Sequence, residues 1–347
     1  MCSFDFSARW AILFIEMLIA LVHDPIEKEP YSSNISTIGK QHQHVTHAIH
    51  DALFDLGHEV VDCRADECLI EKMRKTQPDM AFNLSVRINA KSRLSYAPAL
   101  LKELGIPFSG SGPQACANAY DKYRAKKILE NAGVRTPKGT IIRDGDEIRL
   151  PRSLVFPLFV KPVRGGCSKG IRKENLIKEK NVYKQRVKRI LQRVGKPLLV
   201  EEYIAGREFT VGLLGNKDLH VLPIAEFINK KGKGKIPFRH FTRKMIDYEQ
   251  EIVKCPAQLA ATVKKATGEL AVQAYRSLGC CDYARIDVRL DGQGQPSILE
   301  VNALPNLVPE ESTFSLMALC SGISFCALIE AIITSTCRRH NLRYTPG

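Results

Sequence analysis

Apolar and polar residues alternate in two runs towards the carboxyl end of the chain. Residues 283–290 and 297–305 flank a turn rich in Gly, Asp and Pro, and this pattern predicts a β-hairpin. Side chains in a strand point alternately to opposite faces. Each strand therefore has two polar residues on one face. These are Arg285 and Asp287 in the first strand, and Glu300 and Asn302 in the second. The solvated face of an ordinary hairpin would give the same pattern.

The first third of the chain alternates between runs typical of strands and runs typical of helices. Apolar stretches predict strands at 18–22, 59–62, 78–84 and 106–108. Apolar residues at helical spacing predict one helix that ends at Gly57 and two others, at 65–76 and 95–104. Such alternation is typical of a parallel sheet covered by helices. We therefore predict an N-terminal α/β domain over residues 17–115.

Two further parts follow, at 116–205 and 206–336. The pattern of the first predicts a helix over 116–132, a glycine-rich loop at 163–170, a basic helix over 178–194, and strands at 139–142, 157–162 and 198–203. The pattern of the second predicts a strand at 208–214, a helix over 262–278, the hairpin, a last helix over 324–335 and a frayed basic tail. We predict mixed α+β structure for both parts.

Charge and cysteine usage limit the partners. The 347 residues carry a formal net charge of +14, which favours anionic partners such as nucleotides. The chain has no arginine–aromatic repeat and no zinc-finger spacing, so we expect no nucleic acid partner. Eleven Cys without a framework spacing indicate reduced thiols in the cytoplasm. The apolar run at 11–22 is interrupted by Glu16 and is too short to span a bilayer, so we expect no membrane partner.

Four histidines lie close together in the first predicted helix: His42, His44, His47 and His50. Val45 and Ile49 mark the buried face of that helix, and the histidines lie mostly off it. We interpret them as solvent-facing side chains, with a metal site as the less favoured alternative.

Three further signals precede the hairpin. Lys122 lies in a helix after a Gly/Ser/Pro loop, and Lys161 ends a strand just before the glycine-rich loop. Backbone amides of such a loop and neighbouring lysines can bind phosphate oxygens, although a tight turn between strands explains the loop equally well. Glu201, Glu202 and Glu208 follow, and they suit an amine and ribose hydroxyls. The two carboxylates and the amide oxygen of the hairpin suit Mg²⁺, and its arginine suits an anionic oxygen.

The order of these motifs resembles the D-alanine–D-alanine ligase family of the ATP-grasp superfamily. The resemblance is carried by DK at 121–122, VKP at 160–162 with the following loop, LVEEYIAGREFTVGLLG at 199–215, ARIDV at 284–288 and LEVNALP at 299–305. It extends over residues 18–335. It implies three α/β parts with ATP held between the last two, and ATP-dependent joining of a carboxylate to an amine.

The resemblance also implies roles for individual residues. It places ATP against one set of groups: Lys122 and Lys161 at the phosphates, Lys244 at the γ-phosphate, Glu201, Glu202, Tyr203 and Ile204 at the adenine, and Glu208 at the ribose. It places two Mg²⁺ ions, with Mn²⁺ as an alternative, on three oxygen ligands: Asp287, Glu300 and Asn302. Arg285 would stabilise the oxyanion of the tetrahedral intermediate.

The chain departs from the family pattern where the amino-acid substrates would bind. The family usually has two serines in the loop after the lysine, and Cys167 and Ser168 stand there in this chain. A thiol is a weaker hydrogen-bonding group than a hydroxyl. The tyrosine of the family's mobile loop falls near Met245, with Tyr248 close by, and the family's N-terminal glutamate has two candidates: Glu27 and Glu29. The residues for ATP and Mg²⁺ are kept, while those for the second substrate have drifted.

The expected reaction joins two D-alanine molecules through an acyl phosphate, in the cytoplasm, for peptidoglycan precursor synthesis. Two alternatives stay open. The chain could join other amino-acid or carboxylate and amine substrates, or it could be a nucleotide-binding homologue that has lost turnover. The resemblance allows a homodimer.

Overall fold

The computed structural model describes residues 16–24, 35–88, 91–92, 94–166, 170–195, 197–229 and 251–346. The strands of the N-terminal part are β1 (Leu18–His23), β2 (Glu59–Arg64), β3 (Met80–Asn83), β4 (Arg87–Ile88) and β5 (Lys91–Ser92). Its helices are α1 (Ile35–Asp55), α2 (Leu69–Thr76) and α3 (Tyr96–Glu103). β2, β1 and β3 pair in parallel in that order, which confirms the predicted parallel sheet. β4 and β5 form a separate antiparallel pair.

One predicted N-terminal strand is wrong. Within 106–108, Phe108 alone pairs, through an isolated parallel bridge to Ala81. The chain crosses the end of β3 there, where Ala81 donates to the carbonyl of Pro107 at 2.8 Å and Ser109 donates to the carbonyl of Ala81 at 2.9 Å. Phe108 is the buried residue of this run, and the run makes one bridge to β3 instead of a ladder along it.

The central part begins with two helices, α4 (Pro113–Tyr120) and α5 (Lys122–Asn131). Its strands are β6 (Gly139–Ile142), β7 (Leu158–Pro162), β8 (Leu176–Ile177) and β9 (Leu198–Glu202), with a short 3₁₀ turn at Lys173–Asn175 and helix α6 (Tyr183–Val194) before β9. The strands pair in the order β6-β9-β7-β8, and all these pairs are antiparallel. The basic helix predicted from 178 thus begins five residues later, at Tyr183.

Asp121 breaks the helix that the sequence predicts over 116–132. Its backbone is extended, with φ −97° and ψ 98°, and its carboxylate accepts a hydrogen bond from the amide of Arg124 at 3.0 Å. An Asp side chain that caps the next turn competes with a continuous helix. The break places Lys122 in the first turn of α5, directly after the cap.

The C-terminal part is built on one antiparallel sheet. Its strands are β10 (Glu208–Leu214), β11 (His220–Val221), β12 (Ala225–Asn229), β13 (Glu251–Lys254), β14 (Tyr283–Leu290) and β15 (Pro296–Asn302). They pair in the order β13-β12-β10-β14-β15, with β11 also on β10. The helices are α7 (Ala261–Leu278), α8 (Thr313–Cys320) and α9 (Phe325–His340). The predicted hairpin is confirmed as β14 and β15. Helix α8 was not predicted, because its segment is apolar on all sides and has no periodicity.

The buried cores divide the molecule differently from the order of the chain. One core joins β1 and α1 to α8, α9 and the far side of the C-terminal sheet. A second joins α4, α5 and α7 to β10, β14 and β15. The central strands and α6 enclose a core of their own. The helices around Lys122 therefore pack on the C-terminal sheet.

A buried carboxylate, Asp282, ties distant segments together just before β14. Its backbone is left-handed, with φ 61°, and its side chain is fully buried. It accepts hydrogen bonds from the amide of Gly110 at 2.8 Å, from Asn216 at 2.8 Å and from Arg339 at 2.7 Å. The hydroxyls of Ser335 and Thr336 also donate to it, each at 3.0 Å.

Arg339 also explains why the predicted frayed tail is wrong for residues 337–340. Helix α9 continues to His340 and ends on Asn341, which has the left-handed conformation common after a helix. Arg339 donates to the carbonyl of Phe108 at 2.6 Å as well as to Asp282. The ion pair with buried Asp282 holds Arg339, while Arg338 and Arg343 are exposed.

In the part of the chain that the structure describes, no single helix is long and apolar enough to cross a bilayer. α8 and α9 together meet the criteria of length and composition, but they meet at an angle of 101°.

Candidate active site

The hairpin brings its four polar residues face to face. Arg285 lies opposite Asn302, and Asp287 lies opposite Glu300. Arg285 donates two hydrogen bonds to the carboxylate of Asp287, from Nε at 3.1 Å and from Nη2 at 3.2 Å. The hydroxyl of Thr210 donates to Oδ1 of Asp287 at 2.8 Å, and the amide of Asn302 donates to Oδ2 at 3.1 Å. The alternation of the sequence thus becomes one half-buried polar cluster.

Lys122 reaches this cluster from the start of α5. Its Nζ lies 3.0 Å from Oε1 of Glu300 and donates to the carbonyl of Gly165 at 2.6 Å. The backbone amide of Lys122 donates to Val163 at 2.9 Å, so the first turn of α5 is bound to the glycine-rich loop. The helix break at Asp121 therefore aims this ammonium group between the loop and the hairpin.

A buried triad of charges lies beneath the cluster. Glu201 is 3% exposed, and its two oxygens meet Lys161 at 2.5 Å and Lys126 at 3.2 Å. Burial alone would raise the pKa of Glu201, but Lys161 and Lys126 together hold it below its usual range. Burial lowers the pKa of Lys126 despite the neighbouring carboxylate. Lys126 also donates to the hydroxyl of Thr136 at 2.9 Å.

Lys126 is a residue that the sequence analysis missed. It lies four positions after Lys122 in α5, so the two share a face of the helix. A search for a second cation four positions after the lysine of the DK motif would have identified Lys126 from the sequence.

The last residue of β9 and the first residue of β10 border the other end of the site. Glu202 accepts a hydrogen bond from the amide of Val155 at 2.9 Å. Glu208 begins β10 directly opposite Arg289 of β14, and the two side chains form an ion pair. Arg289 was also missed, although it continues the alternation of Arg285 and Asp287 on the same face of the strand.

These groups line one cleft between the central sheet and the C-terminal sheet. The described residues along its wall are Lys122, Phe159, Lys161, Pro162, Arg164, Gly165, Gly166, Ile171, Glu201, Glu202, Tyr203, Ile204, Glu208, Arg285, Asp287, Arg289, Leu299, Glu300 and Asn302. The cleft is cationic near the glycine-rich loop and carries carboxylates on the hairpin. Such a wall suits a polyphosphate with a divalent cation.

A family model described as D-ala D-ala ligase C-terminus matches residues 129–334 of the chain, more than half of its length. The chain belongs to the D-alanine–D-alanine ligase family.

Individual relatives agree with this assignment. The D-alanine–D-alanine ligase of Aquifex aeolicus is 33% identical over 293 residues, covering 83% of this chain and 92% of the relative. An uncharacterized protein of Sinorhizobium fredii, y4sG, is 35% identical over 297 residues, covering 83% and 86%. The crystal structure of D-alanine–D-alanine ligase from Bacillus anthracis complexed with ATP superposes with a TM-score of 0.71 at 23% identity, covering 94% of this chain and 99% of that one. The predicted family and ATP-grasp fold are confirmed.

Three of the predicted site residues lie outside the described residues: Cys167, Ser168 and Lys244. The same holds for the loop residues Met245 and Tyr248 and for the two N-terminal glutamates, Glu27 and Glu29. His42 lies in α1, but its side chain is not described. The other histidines of that helix, at 44, 47 and 50, are exposed or half-exposed, as expected for solvent-facing side chains.

The hairpin fits a hard divalent cation by its donor chemistry. Asp287 and Glu300 supply carboxylates on neighbouring strands, and Asn302 supplies an amide beside them. Among the described residues, no group of three or more His, Cys, Asp and Glu side chains could hold a metal ion. A site on this hairpin therefore depends on the amide and on ligands from outside the protein, as is usual for Mg²⁺ beside phosphates.

Gly206 allows the turn between β9 and β10 to pass under the hairpin. A Cβ atom at this position would lie 1.6 Å from the carbonyl oxygen of Leu290. We expect Gly206→Ala to destabilise the protein by about 1–3 kcal/mol or more, because the clash is with backbone. Gly292→Ala is the matched control, since a Cβ there meets nothing within 4 Å. Chemical unfolding of both variants measures the difference, and equal stabilities would contradict this account of the turn.

Proposed function

We propose that the chain is an ATP-dependent ligase that joins two D-alanine molecules through an acyl phosphate. Family membership supports the reaction class. One structural observation supports the position of the active site. Lys122, Lys161, Arg285, Asp287 and Glu300 converge on a single cleft from separate elements. Cations and carboxylates so arranged suit phosphoryl transfer followed by acyl transfer. ATP and free amino acids are then its partners. A cytoplasmic location and a homodimer stay predictions from the sequence.

The first step is phosphoryl transfer. The carboxylate of one D-alanine attacks the γ-phosphorus of ATP, the bond to the β-phosphate oxygen breaks, and ADP leaves. Lys122 and Lys161 neutralise phosphate charge as it shifts during the transfer. Asp287, Glu300 and Asn302 would hold Mg²⁺, which supplies Lewis-acid stabilisation of the phosphate oxygens when bound. Lys122 and Arg285 orient the two hairpin carboxylates through ion pairs.

The second step is acyl transfer. The amine of the second D-alanine attacks the carbonyl carbon of the acyl phosphate and loses a proton, and the tetrahedral intermediate expels inorganic phosphate. Arg285 lies on the cleft wall and is oriented by Asp287, so its guanidinium can stabilise the developing oxyanion. The product is a dipeptide with one new amide bond.

An assay of phosphate release and of the peptide product identifies the substrate pair. Purified protein with ATP and Mg²⁺ is expected to release phosphate in the presence of D-alanine and to form D-alanyl-D-alanine, detected by mass spectrometry. L-Alanine is the matched control and should release none. Omission of Mg²⁺ should remove the activity, and Mn²⁺ should restore it.

Other outcomes select the alternatives. Release with a different amino acid but none with D-alanine would favour a ligase for other substrates. The cysteine at position 167, where the family usually has the first serine of its pair, is the observation that keeps this second candidate. Nucleotide-dependent thermal stabilisation without release on a panel of D- and L-amino acids would identify a homologue that has lost turnover.

A further inference from the structure

An arginine lies in the cleft where a nucleoside would meet the linker between the two sheets. Arg289 is 2% exposed, and its guanidinium pairs with Oε2 of Glu208. It also donates to the carbonyl oxygen of Ile204 at 3.1 Å and lies 5.1 Å from the ring centre of Tyr203. Arg289, Glu208, Ile204 and Tyr203 all line the cleft.

The contacts of Arg289 fix a carboxylate that would otherwise have several rotamers. Glu208 stands directly across the sheet from Arg289, and its side chain is 12% exposed. One carboxylate oxygen is bound by the guanidinium, while a carboxylate has lone pairs on both oxygens for further donors. A receptor group held in its binding orientation before the ligand arrives loses less entropy on binding.

We propose that Arg289 is a positioning residue that makes the cleft selective for ribonucleotides. It acts by holding Glu208 and the Ile204 carbonyl, so that the Glu208 carboxylate receives a ribose hydroxyl. This inference rests on the proposed use of ATP. A site built to bond a hydroxyl rejects the analogue that lacks it, because the carboxylate is then desolvated without a donor.

The test is direct binding of nucleotides to the full chain, without amino acids, by calorimetry. The probes are the Mg²⁺ complexes of ATP, 2′-deoxy-ATP and 3′-deoxy-ATP. The unmodified protein is expected to bind ATP about 10- to 100-fold more tightly than at least one deoxy analogue, the range of a hydrogen bond to a charged group. Arg289→Met should weaken ATP binding about tenfold and reduce the preference to about threefold or less.

A matched control lies one residue before Glu208. Arg207 forms a two-pronged pair with Glu226, with both hydrogen bonds at 2.6 Å, and it does not line the cleft. Arg207→Met should leave the ribose preference unchanged. If Arg289→Met proves unfolded, Arg289→Lys keeps the charge but not the planar fork, and it should still lower the preference.

A double variant separates positioning from a general structural role. If Arg289 acts through Glu208, Arg289→Met should add little loss of ribose preference to Glu208→Gln, whereas independent effects would add. Full ribose preference in Arg289→Met or Arg289→Lys overturns the inference and leaves the proposed function standing. Equal affinity of the unmodified protein for ATP and both analogues does the same. Failure of the unmodified protein to bind ATP overturns both.

Discussion

Glu300→Ala is expected to lower turnover by about a thousandfold or more. The change removes one of the two hairpin carboxylates and leaves the ammonium of Lys122 without the oxygen that lies 3.0 Å from it. Loss of several kcal/mol of charge stabilisation corresponds to that factor, since each 1.4 kcal/mol is tenfold in rate. Phosphate release with saturating D-alanine measures it.

Two further variants make the Glu300 result specific. Glu300→Gln keeps the shape of the side chain but removes its charge, and it should lose nearly as much activity as Glu300→Ala. Glu269→Gln changes an exposed carboxylate on α7, outside the cleft, and should retain full activity. Unchanged turnover in Glu300→Ala would eliminate the hairpin as the metal site.

Glu201→Ala is expected to destabilise the fold by about 3–5 kcal/mol. The variant leaves Lys126 and Lys161 facing each other in a buried space without the carboxylate that now separates them. Removal of one partner from a buried set of charges is costly because the remaining charges are uncompensated. The neighbouring Glu202→Ala loses one hydrogen bond, from the amide of Val155, and should cost about 1 kcal/mol. Chemical unfolding of the two variants gives the comparison.

The pH dependence of the unfolding free energy tests whether the charge of Glu201 causes the loss of stability in Glu201→Ala. The pKa of Glu201 is lower in the folded protein than in the unfolded chain, so its stabilisation is present above the ordinary carboxyl value of about 4.3. That stabilisation is lost as the pH falls through the lower, folded value. The difference in unfolding free energy between the unmodified protein and Glu201→Ala should therefore narrow in acid. A constant difference from pH 7 to pH 3 would assign the effect to packing.

Local patterns were enough for the hairpin and the parallel sheet. The alternation in 283–290 placed Arg285 and Asp287 on one face, because a strand has a strict period of two. The strands of the N-terminal sheet were found for a similar reason, since each is a short apolar run between polar segments. What these elements share is that a few neighbouring residues decide their structure.

Features that depend on distant contacts were not predictable in this way. At the helix break, Asp121 caps α5 and the glycine-rich loop binds the first turn of that helix through Val163. The spacing of apolar residues alone favoured a continuous helix. The partners of Lys126 and Arg289 come from strands that are 75 and 81 positions away in sequence, Glu201 and Glu208 respectively. The tail was expected to fray because Asp282, which holds Arg339, lies far from it in the chain.

The anchoring of Asp282 has a structural consequence. One carboxylate binds the loop at Gly110, the turn at Asn216 and the last helix, and a common core lies beneath them. The N-terminal and C-terminal sheets are therefore joined both by polar contacts and by packing. The central sheet has a separate core and is joined to the rest of the chain through the segments 132–138 and 203–207. The cleft therefore lies between two separately packed parts of the molecule, and the Lys126–Glu201 ion pair joins them. The hairpin that carries the carboxylates belongs to the part that Asp282 ties to the N-terminal sheet, while the glycine-rich loop belongs to the central part.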